Sequence, residues 1–178
     1  MASEGKAPVV VIPEETGWPE SVAKRARNNI KSYESCVQAL LEPFLADFNI
    51  YDPWVIRAGG ALHGGGLSSL TCGVHTAGLM ILGLVVGRQD ITQGMDGLLP
   101  AVMPAQDLVK QLTALLGSSS CRELTGVDFT DLGQALAFLV SPGHDTCITR
   151  VENGARAIAS FLQEQQAAGL LFRHEPGA

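Results

Sequence analysis

A chain of 178 residues that is 46% apolar and 17% charged can bury one sizeable core, and this balance excludes a disordered or fibrous protein. Its net charge of −6, from 12 Lys and Arg against 18 Asp and Glu, repels phosphate backbones, so nucleic acid is not an expected partner. The first residues lack the charged-then-apolar layout of an export signal, so a cytoplasmic location with reduced thiols is expected.

Residues 1–16 read as an extended arm, with a short β-prone run at Val9 to Ile12 that suits an edge strand or a plain extended segment. A helical domain is expected over residues 17–168, followed by a tail at 169–178. The first helix is predicted from Pro19, where proline at an early helical position is tolerated and Glu20 suits the positive helix end. It is read as continuing through Tyr33 into the stripe Val37, Leu40, Leu41, Phe44, Leu45 and Phe48, with a kink or an end at Pro43. Asp52-Pro53 signals the next start, of a short helix stopped by Gly59, Gly60 and Gly64 to Gly66.

Leu70 to Gly87 carries no charge and approaches the length of a membrane span. Its His, Thr and Gly content, and the lack of a second such run, favour a buried central helix capped by Ser68 or Ser69. Arg88 to Pro104 is rich in Gly and Pro and reads as a surface excursion. An amphipathic helix over Ala105 to Leu116 is predicted to end at Gly117. Helices at Cys121 to Leu124 and Leu132 to Val140 follow. A last helix, starting after Asp145 or Thr146, buries Ile148, Val151, Ala155, Ile158, Ala159 and Leu162. The fold class expected is all-α, a single helical bundle.

Chemistry is expected at four widely spaced cysteines, Cys36, Cys72, Cys121 and Cys147. Cys72, Cys121 and Cys147 fall at predicted helix starts, where free amides and the helix dipole favour a thiolate. His75 follows Cys72 by three residues and His144 precedes Cys147 by three, so both are candidate additional donors. The alternative is four unrelated core thiols. Cys-x-x-Cys is absent, which excludes the zinc-ribbon and thioredoxin patterns, and so is Cys-x-x-Cys-His for covalent haem. Neither a phosphate loop nor a dinucleotide fingerprint fits the Gly59 to Gly66 run, whose glycines suit a tight turn.

The succession Glu34-Ser35-Cys36-Val37-Gln38-Ala39-Leu40, Gly59-Gly60, Gly64-Gly65-Gly66, Thr71-Cys72-Gly73, Leu79 to Leu84, Cys121-Arg122-Glu123-Leu124-Thr125-Gly126 and Cys147 resembles the C-GCAxxG-C-C family of redox-active proteins. The match covers about residues 30–165. A related helical domain occurs in split-Soret cytochromes. The resemblance implies a helical domain whose four cysteines serve redox chemistry or an iron–sulfur site. This chain departs from the family's central signature, reading Cys72-Gly73-Val74-His75-Thr76-Ala77 there.

Three functions are therefore expected in order. The first is an iron–sulfur cluster on Cys36, Cys72, Cys121 and Cys147, for electron transfer or redox sensing with a partner protein. The second is metal-free thiol–disulfide exchange, and the third a zinc-binding or interaction module. No stable membrane insertion is expected, homodimerisation is left open, and no residue is assigned a catalytic role.

Overall fold

The computed structural model describes residues 10–171, and within them the protein is all-α. Eight α-helices run in order: α1 (Trp18–Tyr33), α2 (Cys36–Asp47), α3 (Pro53–Gly59), α4 (Gly73–Val86), α5 (Gly94–Leu116), α6 (Cys121–Thr125), α7 (Leu132–Leu139) and α8 (Pro142–Ala167). A wide turn at Gly65–Ser69 and a short 3₁₀ turn at Ile91–Gln93 complete the elements.

The long amphipathic stretch expected near the start is two helices rather than one. Glu34 takes a left-handed conformation, with φ of 60°, and closes α1. Ser35 then caps α2 by accepting the Gln38 amide. Pro43 does not end α2: it sits buried in a helix that continues to Asp47. Asp52 and Pro53 start α3 as predicted, the Asp52 carboxylate accepting the Trp54 amide.

At the core, α4 packs against α2, α5 and α8. Its first turn approaches α8 closely, because a methyl group on Gly154 would stand 2.3 Å from Val74 Cγ1. Further along, a methyl group on Gly78 would touch both Ile158 of α8 and Leu112 of α5 at 3.2 Å. The first two pairs advance together, so α8 runs parallel to α4. The sequence of contacts His75 with Thr113, Gly78 with Leu112 and Arg88 with Gly97 advances in opposition, so α5 returns antiparallel. The buried face of α8 contains every residue predicted for it, from Ile148 to Leu162. In contrast, α4 is not buried all round: Leu79 is 38% exposed. Among the described residues, no helix is long and apolar enough to cross a membrane.

The surface excursion expected over Arg88 to Pro104 is largely helix. Asp90 and Gln93 form a reciprocal capping box, and α5 begins at Gly94 and continues through Pro100 and Pro104. The prolines lie four residues apart, so both missing amides fall on one row of the helix and the rest of the ladder survives. Gly117, with φ of 92°, ends α5 as predicted.

The helices α1 and α8 form the other main contact. Val22, Ala23, Ala26 and Ile30 are buried, and ion pairs of Arg156 with Glu20 and of Arg27 with Glu152 lie along the edge of the packed pair. Within the N-terminal arm, Val9 lies outside the described residues. Val10 and Ile12 are core residues in extended chain rather than a strand, and Gln163 Nε2 donates to the Pro13 and Glu15 carbonyls.

Candidate four-cysteine site

All four cysteines are free, and all four line one cavity of about 200 Å³. That is room for several waters. Helix starts bring the thiols together. Cys36 is the first residue of α2 and Cys121 the first of α6, while Cys72 is the capping residue of α4. Neither Ser68 nor Ser69 caps α4, contrary to expectation; Cys72 takes that position. Cys36 therefore does occupy a helix start, which the unbroken-helix reading had hidden. For Cys147 the opposite holds. α8 begins at Pro142, so Cys147 sits in its second turn, and His144 lies in the first turn rather than in a preceding loop.

Backbone pairing sets Cys72 beside Cys121. Thr71 and Ser120 form an isolated antiparallel bridge, Cys72 N–H donates to Ser119 at 2.8 Å, and Cys121 N–H donates to the Leu70 carbonyl at 2.6 Å. The Cys36 sulfur packs directly on Gly73, the residue after Cys72. Left-handed Gly64, Gly65 and Gly66 form the tight turn that the glycine run suggested, and the Gly64 amide acts on the Cys36 thiol. Of the four non-glycine residues with positive φ among the described residues, three are Glu34, Leu67 and Ser69, all in segments that build this cavity. Strain gathered in this way is characteristic of functional sites.

Burial dominates the electrostatics. It pushes the Cys36 thiol up to about 11, although that residue retains some surface exposure, and Cys121 up to about 12. Cys72 and Cys147 are also raised, again first by burial. Each of the other three thiols raises Cys121 further, as mutual repulsion requires of neighbouring thiolates. Opposing forces are local. The Val74 and His75 amides, at the start of α4, favour the Cys72 thiolate. Arg150 favours the thiolates of Cys72 and Cys147, its Nη1 lying 3.9 Å from Cys147 Sγ.

The two histidine candidates part company. His144 lines the cavity, and its Nε2 is 3.0 Å from Glu34 Oε2. His75 is fully buried and turned to α5, where its Nε2 pairs with Thr113 Oγ1 at 3.1 Å; its Nδ1 has no partner. Among the described residues, no group of three or more His, Cys, Asp and Glu side chains is arranged to hold a metal ion.

Two lining residues escaped the sequence reading. His63 borders the cavity with its Nδ1 2.7 Å from the Gly60 carbonyl, and nothing in a glycine-rich turn distinguishes it in advance. Arg150 had a signal, because it lies one helical turn beyond Cys147. The outer wall is apolar, with Leu67, Leu136, Leu139 and the edge-on rings of Phe129 and Phe138. Ser69 fastens that wall: its Oγ donates to the Val127 carbonyl at 2.9 Å and accepts the Phe129 amide at 2.7 Å.

No curated protein and no solved structure matches the chain. A family model described as "putative redox-active protein (C_GCAxxG_C_C)" matches residues 34–161, a span that holds all four cysteines and every cavity-lining element from α2 to α8. The chain belongs to that family.

Proposed function

We propose that Cys36, Cys72, Cys121 and Cys147 together hold an iron–sulfur cluster, and that the protein transfers electrons or senses redox state through it. The observation that carries this reading is the convergence of all four thiols on one largely apolar, partly open cavity. Four cysteine thiolates are the usual donor set for [2Fe–2S] and [4Fe–4S] centres. The cavity that they line, about 200 Å³, has room for a body of several heavy atoms.

The donor set suits such a group by its chemistry, and binding would have to draw the thiols in, because no three of them stand at metal-holding distance among the described residues. Four thiolates around a cluster leave net negative charge in a dry site, so the site needs positive charge close by. The N-termini of α2 and α4 supply partial positive charge, and Arg150 a full one. When bound, the cluster supplies a one-electron couple. The chain's own contribution is to fix Cys36, Cys72 and Cys121 at helix starts, to wall the cavity with Leu67, Leu136 and Phe138, and to place Arg150 beside Cys147.

Metal-free dithiol exchange fits less well. An attacking thiol needs its pKa lowered, and burial drives all four the other way. Bound metal removes that obstacle, since it displaces the thiol proton outright.

The test is anaerobic reconstitution of the full chain with ferrous iron and sulfide, followed by visible absorption. Sulfur-to-iron charge-transfer bands that bleach on reduction are the expected result. A chain that binds neither iron nor sulfide under those conditions sinks the reading and leaves dithiol chemistry.

A further inference from the structure

The helices around α4 do not end together. Gly78, Leu112 and Ile158 lie at one level of the bundle. Beyond that level α4 stops at Val86 and α8 at Ala167, whereas α5 extends back to Gly94. At 1.5 Å per residue the N-terminal end of α5 overhangs both neighbours by about 13 Å. Arg88 and Gln93 pack on one side of it, against Gly97, and the opposite side is apolar. Ile91, Met95, Leu98, Leu99, Val102 and Met103 are all exposed, from 36% at Val102 to 79% at Ile91.

Six large apolar side chains at such exposure present roughly 650 Å², more than the 300–600 Å² of the largest patch on a typical monomer. That area approaches the ~800 Å² that each partner gives to a standard specific interface. We infer that the overhanging end of α5, with the Ile91–Gln93 turn before it, is the docking surface for a second copy of this chain.

Three observations choose that occupant. Between Ile91 and Gln106 the only charged residue is Asp96, so the surface has no charge pattern to select a charged partner. A helix that lies on a lipid surface needs a Lys- and Arg-rich polar face, and this end has Arg88 alone, tied to the Gly94 carbonyl. A redox partner must come up to the thiols. Those lie at the N-terminal end of α4, about 20 Å from its other end at 1.5 Å per residue, where α5 overhangs. What remains is an apolar rod that complements itself when two copies meet about a two-fold axis, the commonest arrangement of soluble oligomers. Such a dimer leaves both four-cysteine cavities open to their own partners.

The experiment is light scattering coupled to size exclusion on the full chain, with and without Leu99→Glu or Met95→Glu. The wild-type chain is expected at twice its 18.8 kDa mass, and each variant at a single mass with unchanged helical circular dichroism. Leu132→Glu, on an exposed apolar residue of α7, is expected to remain dimeric. A wild-type monomer at all concentrations, or a dimer that the folded α5 variants leave intact, overturns the proposal. So does sedimentation of the wild-type chain with neutral phosphatidylcholine vesicles, which would make the occupant lipid. A photoreactive phenylalanine replacing Leu99 gives a check that needs no disruptive charge. It is expected to crosslink to α5 of the other copy, and crosslinks to any other surface contradict the assignment.

Discussion

Gly73 and Cys36 are packed so closely that a methyl group on the glycine would stand 2.2 Å from the cysteine sulfur. No real carbon comes that near, so any side chain at position 73 must push Cys36 out of place. Gly73 opens α4, and alanine is ordinarily the better helix former. Here the sign reverses. Gly73→Ala is expected to destabilise the protein by roughly 1–3 kcal/mol, the usual cost of overpacking. It is also expected to lower iron retention, whereas Gly83→Ala, at a helical glycine with open space around it, does neither. Denaturant unfolding and iron content measure the two effects.

The raised thiols make a signed prediction about pH. A buried cysteine whose folded pKa lies above its unfolded value stabilises the fold below the unfolded value, and that contribution is lost as pH rises through the folded one. For Cys36 and Cys121 the ordinary value is 9.0, and the folded values are about 11 and about 12. The metal-free protein is therefore expected to lose stability between about pH 9 and pH 12. Cys121→Ala is expected to flatten that decline relative to wild type. Melting temperature across this range decides it, and parallel curves for the two proteins would contradict the burial argument.

Ser69 fastens the apolar wall over the cavity through both of its hydroxyl's hydrogen bonds. Ser69→Ala leaves the half-buried Phe129 amide and Val127 carbonyl without that partner. The expected cost is about 1–3 kcal/mol. Loosening the wall is expected to speed alkylation of Cys121 while leaving the α1–α8 contact intact. Timed labelling followed by mass spectrometry of the peptides reads both.

Much of this arrangement is legible locally, and some is not. Asp52-Pro53 and Gly117 announce themselves because caps act within one turn. The α8 stripe is equally plain, since one long helix repeats its period. The break at Glu34 is not, because a glutamate in left-handed conformation carries no local signal. Missing it hid the helix start at Cys36. Pro100 and Pro104 mislead in the other direction, and tertiary burial of Pro104 outweighs their propensity. The four cysteines could be singled out from sequence. Their convergence could not, since it depends on the Thr71–Ser120 bridge and on Gly73, two contacts between distant segments.

Arg150 is the cation nearest the sulfurs, with its Nη1 also on Thr146 Oγ1 at 2.9 Å. A positive charge there favours the more negative, reduced state of a bound cluster. Arg150→Gln is therefore expected to lower the midpoint potential, and in the metal-free protein to slow alkylation of Cys147 by weakening its thiolate. Potentiometry and thiol labelling give two independent readouts. An unchanged potential together with unchanged labelling removes Arg150 from the site's electrostatics.

The convergence of four thiols on one group is tested most directly by iron and sulfide content in four single variants, Cys36→Ser, Cys72→Ser, Cys121→Ser and Cys147→Ser. They are prepared anaerobically beside the wild type, with melting temperature measured on each. Cluster ligation engages all four sulfurs, and its binding energy is part of the folding energy. The account predicts a comparable loss of iron and of thermal stability in every variant, Cys36→Ser no less than Cys72→Ser. Iron-free wild-type protein, with one cysteine essential for thiol exchange and another replaceable without loss, would contradict it.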